Sequence, residues 1–355
     1  MANVAVLAGG CSAEHDVSIR SALQVLQHLD RARWRPWPVY LDRDGRWWVP
    51  ERPLAPGAQP GKDFRVAHAR ALRPGAALED LLGRAQVDMV FPVLHGAGGE
   101  DGTVQGMLEL HRVPFVGSGC AASAVAMDKI RTRECLSFHG IPMARCHLPR
   151  APLAHLDARA EAERIGHTVG YPCFLKVDLS GSSIGVEQAR GPEEAEAILE
   201  GLRSRGGRVI AEAMLRGEEI TVPVLGNWGA KLTALLPVGI YPRNEAFFTN
   251  QAKYDPSKCE EVVPPRNLGP AQIQEAQELA LRCHEALCCD GMSRTDMIVT
   301  AAGPVVLEVN TIPGLTEASL LPKAAYAHGW SFTQLLDVLL GFAMERHGLP
   351  LPALS

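Results

Sequence analysis

The chain has 355 residues, 46% hydrophobic and 21% charged, with a formal net charge of −5. That length predicts two or three domains with substantial cores, and the acidic balance excludes nucleic acid and anionic membrane as the main partner. No apolar run reaches the roughly 20 residues that span a bilayer. The start, Met-Ala-Asn-Val-Ala-Val-Leu-Ala-Gly-Gly, reads as a first strand rather than a secretion signal, which predicts a cytoplasmic address. Nine cysteines, an odd number without a C-x-x-C pair, predict free and mostly buried thiols.

In chain order, Val4–Leu7 is a short apolar strand ending in Gly9-Gly10, and a helix carrying Ile19, Ala22, Leu23 and Leu26 at helical spacing follows it. Asp42-Arg43-Asp44-Gly45 marks a hairpin between Pro38–Leu41 and Arg46–Val49. The Pro-, Ala- and Arg-rich stretch 50–84 reads as surface elaboration. Val87–Leu94, apolar apart from Asp88, reads as a buried parallel strand. The glycine loop His95–Gly102 and a helix with Val104, Met107 and Leu108 come next. Strand, glycine loop and helix form an α/β unit with its ligand edge at the strand C-termini, where Glu14 and His95 fall. The G-x-G-x-x-G fingerprint is missing after the first strand, which weakens a dehydrogenase reading.

Further on, Val113–Val116 reads as a strand, and Asp128 as the cap of a helix running to about His139, with Lys129 at its start. Cys173–Lys176 is a strand that leads to Ser180-Gly181-Ser182-Ser183. Small residues there let backbone N–H groups close over a phosphate chain, with Lys176 neutralising charge. An ordinary hairpin turn accounts for the same residues, and no Walker-type motif occurs. Pro192 opens a helix, Arg208–Ala211 is a strand ending at Glu212, and Glu219–Leu225 is another. The aperiodic run Phe247–Asp255 reads as a loop that closes over a site. Pro270 starts a long helix, and two helices, Leu320–Ala327 and Phe332–Phe342, end the chain.

The densest run is Ser293–Lys323. Thr295–Thr300 and Pro304–Val309 read as a hairpin joined by Ala301, Ala302 and Gly303. Glu308 and Asn310 share a face. A register that sets Asp296 opposite Glu308 gathers three hard oxygen ligands, a set suited to magnesium carrying nucleotide phosphates. A solvated hairpin with one acid per strand is the alternative. Pro313-Gly314 offers a backbone N–H to a substrate oxygen, and Arg294 a fixed positive charge. The pattern points to nucleotide-dependent ligation.

Arg-x-Asp followed by Glu-x-Asn-Thr-x-Pro-Gly resembles the ATP-grasp superfamily and, within it, the D-alanine–D-alanine ligases. Ser12-Ala13-Glu14-His15-Asp16-Val17-Ser18, Leu94-His95-Gly96 with Gly99–Gly106, and the spacing from Lys176 to Ser182 extend the resemblance from Gly9 to about Arg346. It implies an α/β chain with an ATP-grasp fold and an N-terminal Rossmann-like (pre-ATP-grasp) domain, divided as 1–117, 118–212 and 213–355. It also implies two D-alanines and ATP as small-molecule substrates, two magnesium ions with manganese able to substitute, and a homodimer.

By the same resemblance, Glu14, His95, Ser182 and Tyr254 meet the first D-alanine, while Ser319 and Leu320 meet the second. Lys129, Lys176, Ser183 and Lys253 meet phosphate. Glu212, Ala213 and Leu215 meet adenine and Glu219 the ribose. Asp296, Glu308 and Asn310 hold metal, and Arg294 with Gly314 forms an oxyanion hole. Tyr254 matches the loop tyrosine that D-lactate-using members lack, implying an amine acceptor. Val177, Thr249 and Asn250 depart from the family pattern, so a ligase joining other amino acids stands as the competing reading.

Overall fold

The computed structural model describes residues 1–178, 186–243 and 259–350. Its first five strands are β1 (Ala2–Gly9), β2 (Trp34–Leu41), β3 (Trp47–Pro50), β4 (Ala69–Leu72) and β5 (Met89–Pro92), in one sheet of order β4-β3-β2-β1-β5. β1 runs parallel to both β2 and β5. Val4 to Ala8 are wholly buried, because helices cover both faces of the parallel part. These are α1 (His15–His28) on one face and α2 (Pro74–Gly83) and α3 (Thr103–Leu110) on the other. The stretch 50–84 is therefore more than decoration: β4 extends the sheet edge, and Ala77, Leu78 and Leu81 of α2 enter the core. The expected strand at 113–116 is reduced to one bridge, Val90 to Phe115.

Next come α4 (Cys120–Met127), α5 (Lys129–Phe138), β6 (Cys146–His147), α6 (Ala158–Thr168), β7 (Cys173–Val177), β8 (Val186–Ala189), α7 (Pro192–Leu202) and β9 (Val209–Ala213). The strands form an antiparallel sheet of order β6-β9-β7-β8. Alternation along β7 decides what each face does. Cys173, Leu175 and Val177 pack under α6 and α7 with Ile165 and Leu199. Phe174 and Lys176 face a cleft instead.

The remaining elements are β10 (Glu218–Leu225), β11 (Thr233–Ala234), β12 (Val238–Pro242), β13 (Cys259–Val262), α8 (Pro270–Ala286), β14 (Met292–Thr300), β15 (Gly303–Asn310), α9 (Leu320–Ala327) and α10 (Phe332–Arg346). Six strands make one antiparallel sheet, β13-β12-β10-β14-β15 with β11 beside β10. α8 covers its back: Ala276, Leu279, Ala280 and Cys283 pack on Ile220, Val222, Met297 and Val309. Of these, Leu279, Ile220, Val222, Met297 and Val309 each contribute about 1.5–3 kcal/mol when fully buried. α9 and α10 lie under the N-terminal sheet, sharing a core with Val4, Val6 and Trp34. Asp337 on α10 accepts from the Trp34 indole N–H at 2.6 Å and from Arg33 at 3.0 Å.

All nine cysteines are free, but only four are buried; Cys11 and Cys288 are exposed. Among the described residues, no helix is long and apolar enough to cross a membrane.

Candidate active site

The β14–β15 hairpin turns through Ala301-Ala302, with Thr300 opposite Gly303. From the turn the register runs evenly to Met297 opposite Val306, and then shifts by one residue so that Asp296 faces Glu308. Leu307 is the extra residue of a β-bulge, a device that re-aims side chains. Val306 points back into the α8 core, whereas Leu307 and Glu308 both reach the opposite face. Arg294, Asp296, Glu308 and Asn310 consequently share one surface.

Asp296 is held from three sides. Arg294 donates to both its oxygens at 2.9 and 2.8 Å, Thr221 of β10 donates its hydroxyl at 2.6 Å, and the Asn310 amide lies 3.5 Å away. Glu308 pairs with Lys129 at 3.5 Å. Among the described residues no three His, Cys, Asp or Glu side chains cluster for a metal ion. A metal set here draws on two carboxylates and the Asn310 amide oxygen, and all-oxygen donors of that kind fit magnesium or manganese.

A cleft of about 630 Å³ lies between the four-stranded and six-stranded sheets. Lys129, Lys176, Glu212, Ala213, Leu215 and Glu219 line it. Its charged floor is built as a bridge: Glu212 accepts from Lys176 and from Arg133, each at 2.5 Å. Burial alone would raise the Glu212 pKa, yet Lys176 and Arg133 hold it below the ordinary carboxylate range. Burial likewise opposes the Lys176 charge, and Glu212 overrides it, raising that pKa. Both groups stay ionised at neutral pH.

A second cavity of about 470 Å³ lies among α1, the glycine loop after β5, the hairpin and the start of α9. It is lined by Glu14, His95, Arg294, Asn310, Gly314, Ser319 and Leu320, and by Glu100. The Ser12 hydroxyl donates to the His95 carbonyl at 2.6 Å and accepts from the Glu14 N–H at 3.1 Å, tying the two loops together. Gly96, at φ +74°, leaves room for Glu14, whose Oε2 a Cβ there would meet at 2.9 Å. A Cβ on Gly314 would meet the Ser319 Oγ at 2.7 Å. His95 hydrogen-bonds Ser21 at 3.1 Å, and burial depresses its pKa. Glu100 is pushed up to about 8, by burial first and then by Glu14. The two cavities share Ile240, Asp296 and Glu308.

Every expected site residue that the structure describes thus lines one cavity or the other. Ser182, Ser183, Lys253, Tyr254, Thr249 and Asn250 lie outside the described residues. Three contributors were not anticipated. Arg133 sits one helical turn beyond Lys129, a spacing that puts both on one face of α5. Glu100 lies inside the glycine motif already singled out. Thr221 gives no sequence signal, since its role depends on lying opposite Asp296 across β10 and β14.

A nucleotide-sized cleft between two antiparallel sheets, beside an N-terminal mixed sheet, is the architecture of the ATP-grasp fold. Residues 3–118 match the family description "D-ala D-ala ligase N-terminus" and residues 136–341 match "D-ala D-ala ligase C-terminus". The chain belongs to the D-alanine–D-alanine ligase family. It is 36% identical to the D-alanine–D-alanine ligase of Clostridium novyi, over 97% of this chain and 98% of that one. It superposes on the VanG D-Ala:D-Ser ligase of Enterococcus faecalis with a TM-score of 0.79 at 29% identity, covering 96% of this chain and 99% of the other. The D-alanine–D-alanine ligase of Bacillus anthracis complexed with ATP gives 0.72 at 26%, covering 98% and 99%.

Proposed function

We propose that this chain joins two D-alanines at the expense of ATP, supplying the dipeptide of peptidoglycan precursors. The observation that carries the reading is the shared wall: Asp296 and Glu308 border both the cleft and the second cavity. A phosphate end in one and a carboxylate in the other therefore meet at the same two side chains.

A carboxylate resists attack by an amine because an oxide leaves poorly. In the reading proposed here, a carboxylate oxygen of the first D-alanine attacks the γ-phosphorus, the bond to ADP breaks, and an acylphosphate forms. The amine of the second D-alanine, having lost a proton, then attacks the carbonyl carbon, and phosphate departs. Such a transfer needs alignment and charge neutralisation more than covalent help. Lys129 and Lys176, with Lys253, supply fixed positive charge. Glu212, Ala213, Leu215 and Glu219 hold the nucleoside, and Ser182 and Ser183 add donors to its phosphates. Magnesium held by Asp296, Glu308 and Asn310 would screen the phosphate oxygens.

Glu14 and His95 orient the first amino acid, and Ser182 with Tyr254 closes over it. His95 is suited to this as a neutral imidazole, since burial depresses its pKa. Arg294 and the Gly314 N–H face the developing oxyanion, an interaction worth about 3–4 kcal/mol per donor in other enzymes. Ser319 and Leu320 receive the second amino acid. The reading includes a cytoplasmic homodimer divided at about residues 117 and 212.

The test is an acceptor screen: ATP, magnesium and D-alanine with D-alanine, D-serine or D-lactate as second substrate, reading phosphate release and product mass. Expected is D-alanyl-D-alanine from D-alanine alone, at a rate above that with either competitor. Faster release with D-lactate, or no D-alanine-dependent ADP, sinks it.

A further inference from the structure

Lys129 begins α5, and its amine reaches Glu308 on β15 of the six-stranded sheet. A lysine carries its charge on a long flexible stem, so where the amine sits depends on how firmly the backbone beneath it is anchored. The anchor is built from three charged side chains that line neither cavity. Asp128 caps α5, its Oδ1 accepting from the N–H groups of Ile130 at 3.0 Å and Arg131 at 2.8 Å. Asp178, just past β7, accepts from the Lys129 N–H itself at 3.2 Å. The Arg208 guanidinium then joins the two carboxylates, donating to Asp128 at 2.8 Å and to Asp178. Main-chain pairing locks the same spot: the Asp178 N–H donates to the Arg208 carbonyl at 2.8 Å, beside the Val177–Val209 pair of β7 and β9.

The Asp178 side chain is only 1% exposed. An ion pair with one buried and one half-exposed partner contributes little net stability. What it adds is a fixed geometry, and here the geometry belongs to the first residue of α5. We propose that Asp178, Arg208 and Asp128 are positioning residues that hold Lys129 in register with Glu308 for the transferring phosphate. The proposal rests on the ligation reading above and extends it to residues that touch no substrate. Its signature is dependence: removing the clamp matters only while the Lys129 amine is present.

The experiment compares Asp178→Ala and Arg208→Met, each alone and on a Lys129→Met background, following ADP release with varied ATP and varied D-alanine. Each single clamp variant should lose about 10–100-fold in kcat, the scale set by small misplacements in an active site. On the Lys129→Met background the further loss should shrink to under about twofold, because coupled residues are not additive. Arg208→Lys, which offers a point charge instead of a fork, should recover part of the loss. Full multiplicative losses on the Lys129→Met background, or wild-type kcat in Arg208→Met, overturn the clamp. Arg208 is 39% exposed at a sheet end, so its variants carry the test if Asp178→Ala melts. Wild-type protein without D-alanine-dependent ADP release removes the ligation reading itself; wild-type turnover with additive losses removes only the clamp.

Discussion

The two cavities solve the same problem, holding charge out of water, in opposite ways. The cleft keeps its groups ionised by pairing them: Glu212 is braced by Lys176 and Arg133, and Lys129 by Glu308. The second cavity holds groups neutral by burial, a carboxyl at Glu100 and an imidazole at His95. Paired charges suit a compartment that must match a polyanion. Neutral groups leave the recognition of a small zwitterion to the charges this cavity keeps, Glu14 and Arg294 among them. The first set stands on β7, β9, β15 and α5 and the second on the glycine loop after β5, because bridging pairs need rigid spacing while burial needs only close covering.

Variants of the shared wall should break both cavities together. Asp296→Asn and Glu308→Gln are expected to cut magnesium-dependent ATP turnover about 1,000-fold, several kcal/mol of charge stabilisation, with an unchanged circular dichroism spectrum. Wild-type turnover in either variant would reject the ligand assignment.

Next in size is the paired floor. Glu212→Gln leaves Lys176 and Arg133 as buried like charges, and breaking such a pair costs about 3–5 kcal/mol, measurable in the urea midpoint. Because the Glu212 pKa is depressed in the folded state, its contribution is complete above the ordinary carboxylate range and disappears as pH falls through the lower folded value. The gap between wild type and variant should therefore close in acid. A gap that is constant with pH would contradict the pairing.

The neutral cavity is tested through stability alone. Glu100 binds its proton up to about pH 8 in the folded chain, against 4.5 ordinarily, so ionisation in the unfolded chain lowers wild-type stability as pH rises between those values. Glu100→Gln cannot ionise. Its stability relative to wild type should climb from about pH 4.5 to 8 and then level off, as read by urea unfolding at stepped pH. A flat difference would mean that Glu100 is charged in the folded chain.

Much of this was legible beforehand where a local pattern has one physical meaning. The strand expected at Val87–Leu94 forms over Met89–Pro92, Asp128 caps the predicted helix, and the spacing of Glu308 and Asn310 put both on one face. The residues lining the two cavities were nameable through the motifs shared with the D-alanine–D-alanine ligases, since a lone Lys129 or Glu219 has no such meaning by itself. What escaped depends on encounters between distant segments. Alternation predicts a face but cannot reveal the bulge, because an extra residue leaves no mark in composition. The stretch 50–84 looked like ornament because a four-residue edge strand and a ten-residue helix are too short for a strong period. The Asp178–Arg208 contact joins residues 30 apart, with nothing local to announce it.

The bulge at Leu307 makes the hairpin sensitive to counting rather than to spelling. Between Gly303 and Leu307, side chains can be exchanged for others of similar shape while the wall survives. One residue gained there with the bulge kept would turn Glu308 inward against α8, stranding a carboxylate among Met297, Val299 and Cys283, whereas loss of Leu307 itself would only remove the bulge. Insertion along this strand is therefore closed to the chain in a way that sequence variation is not.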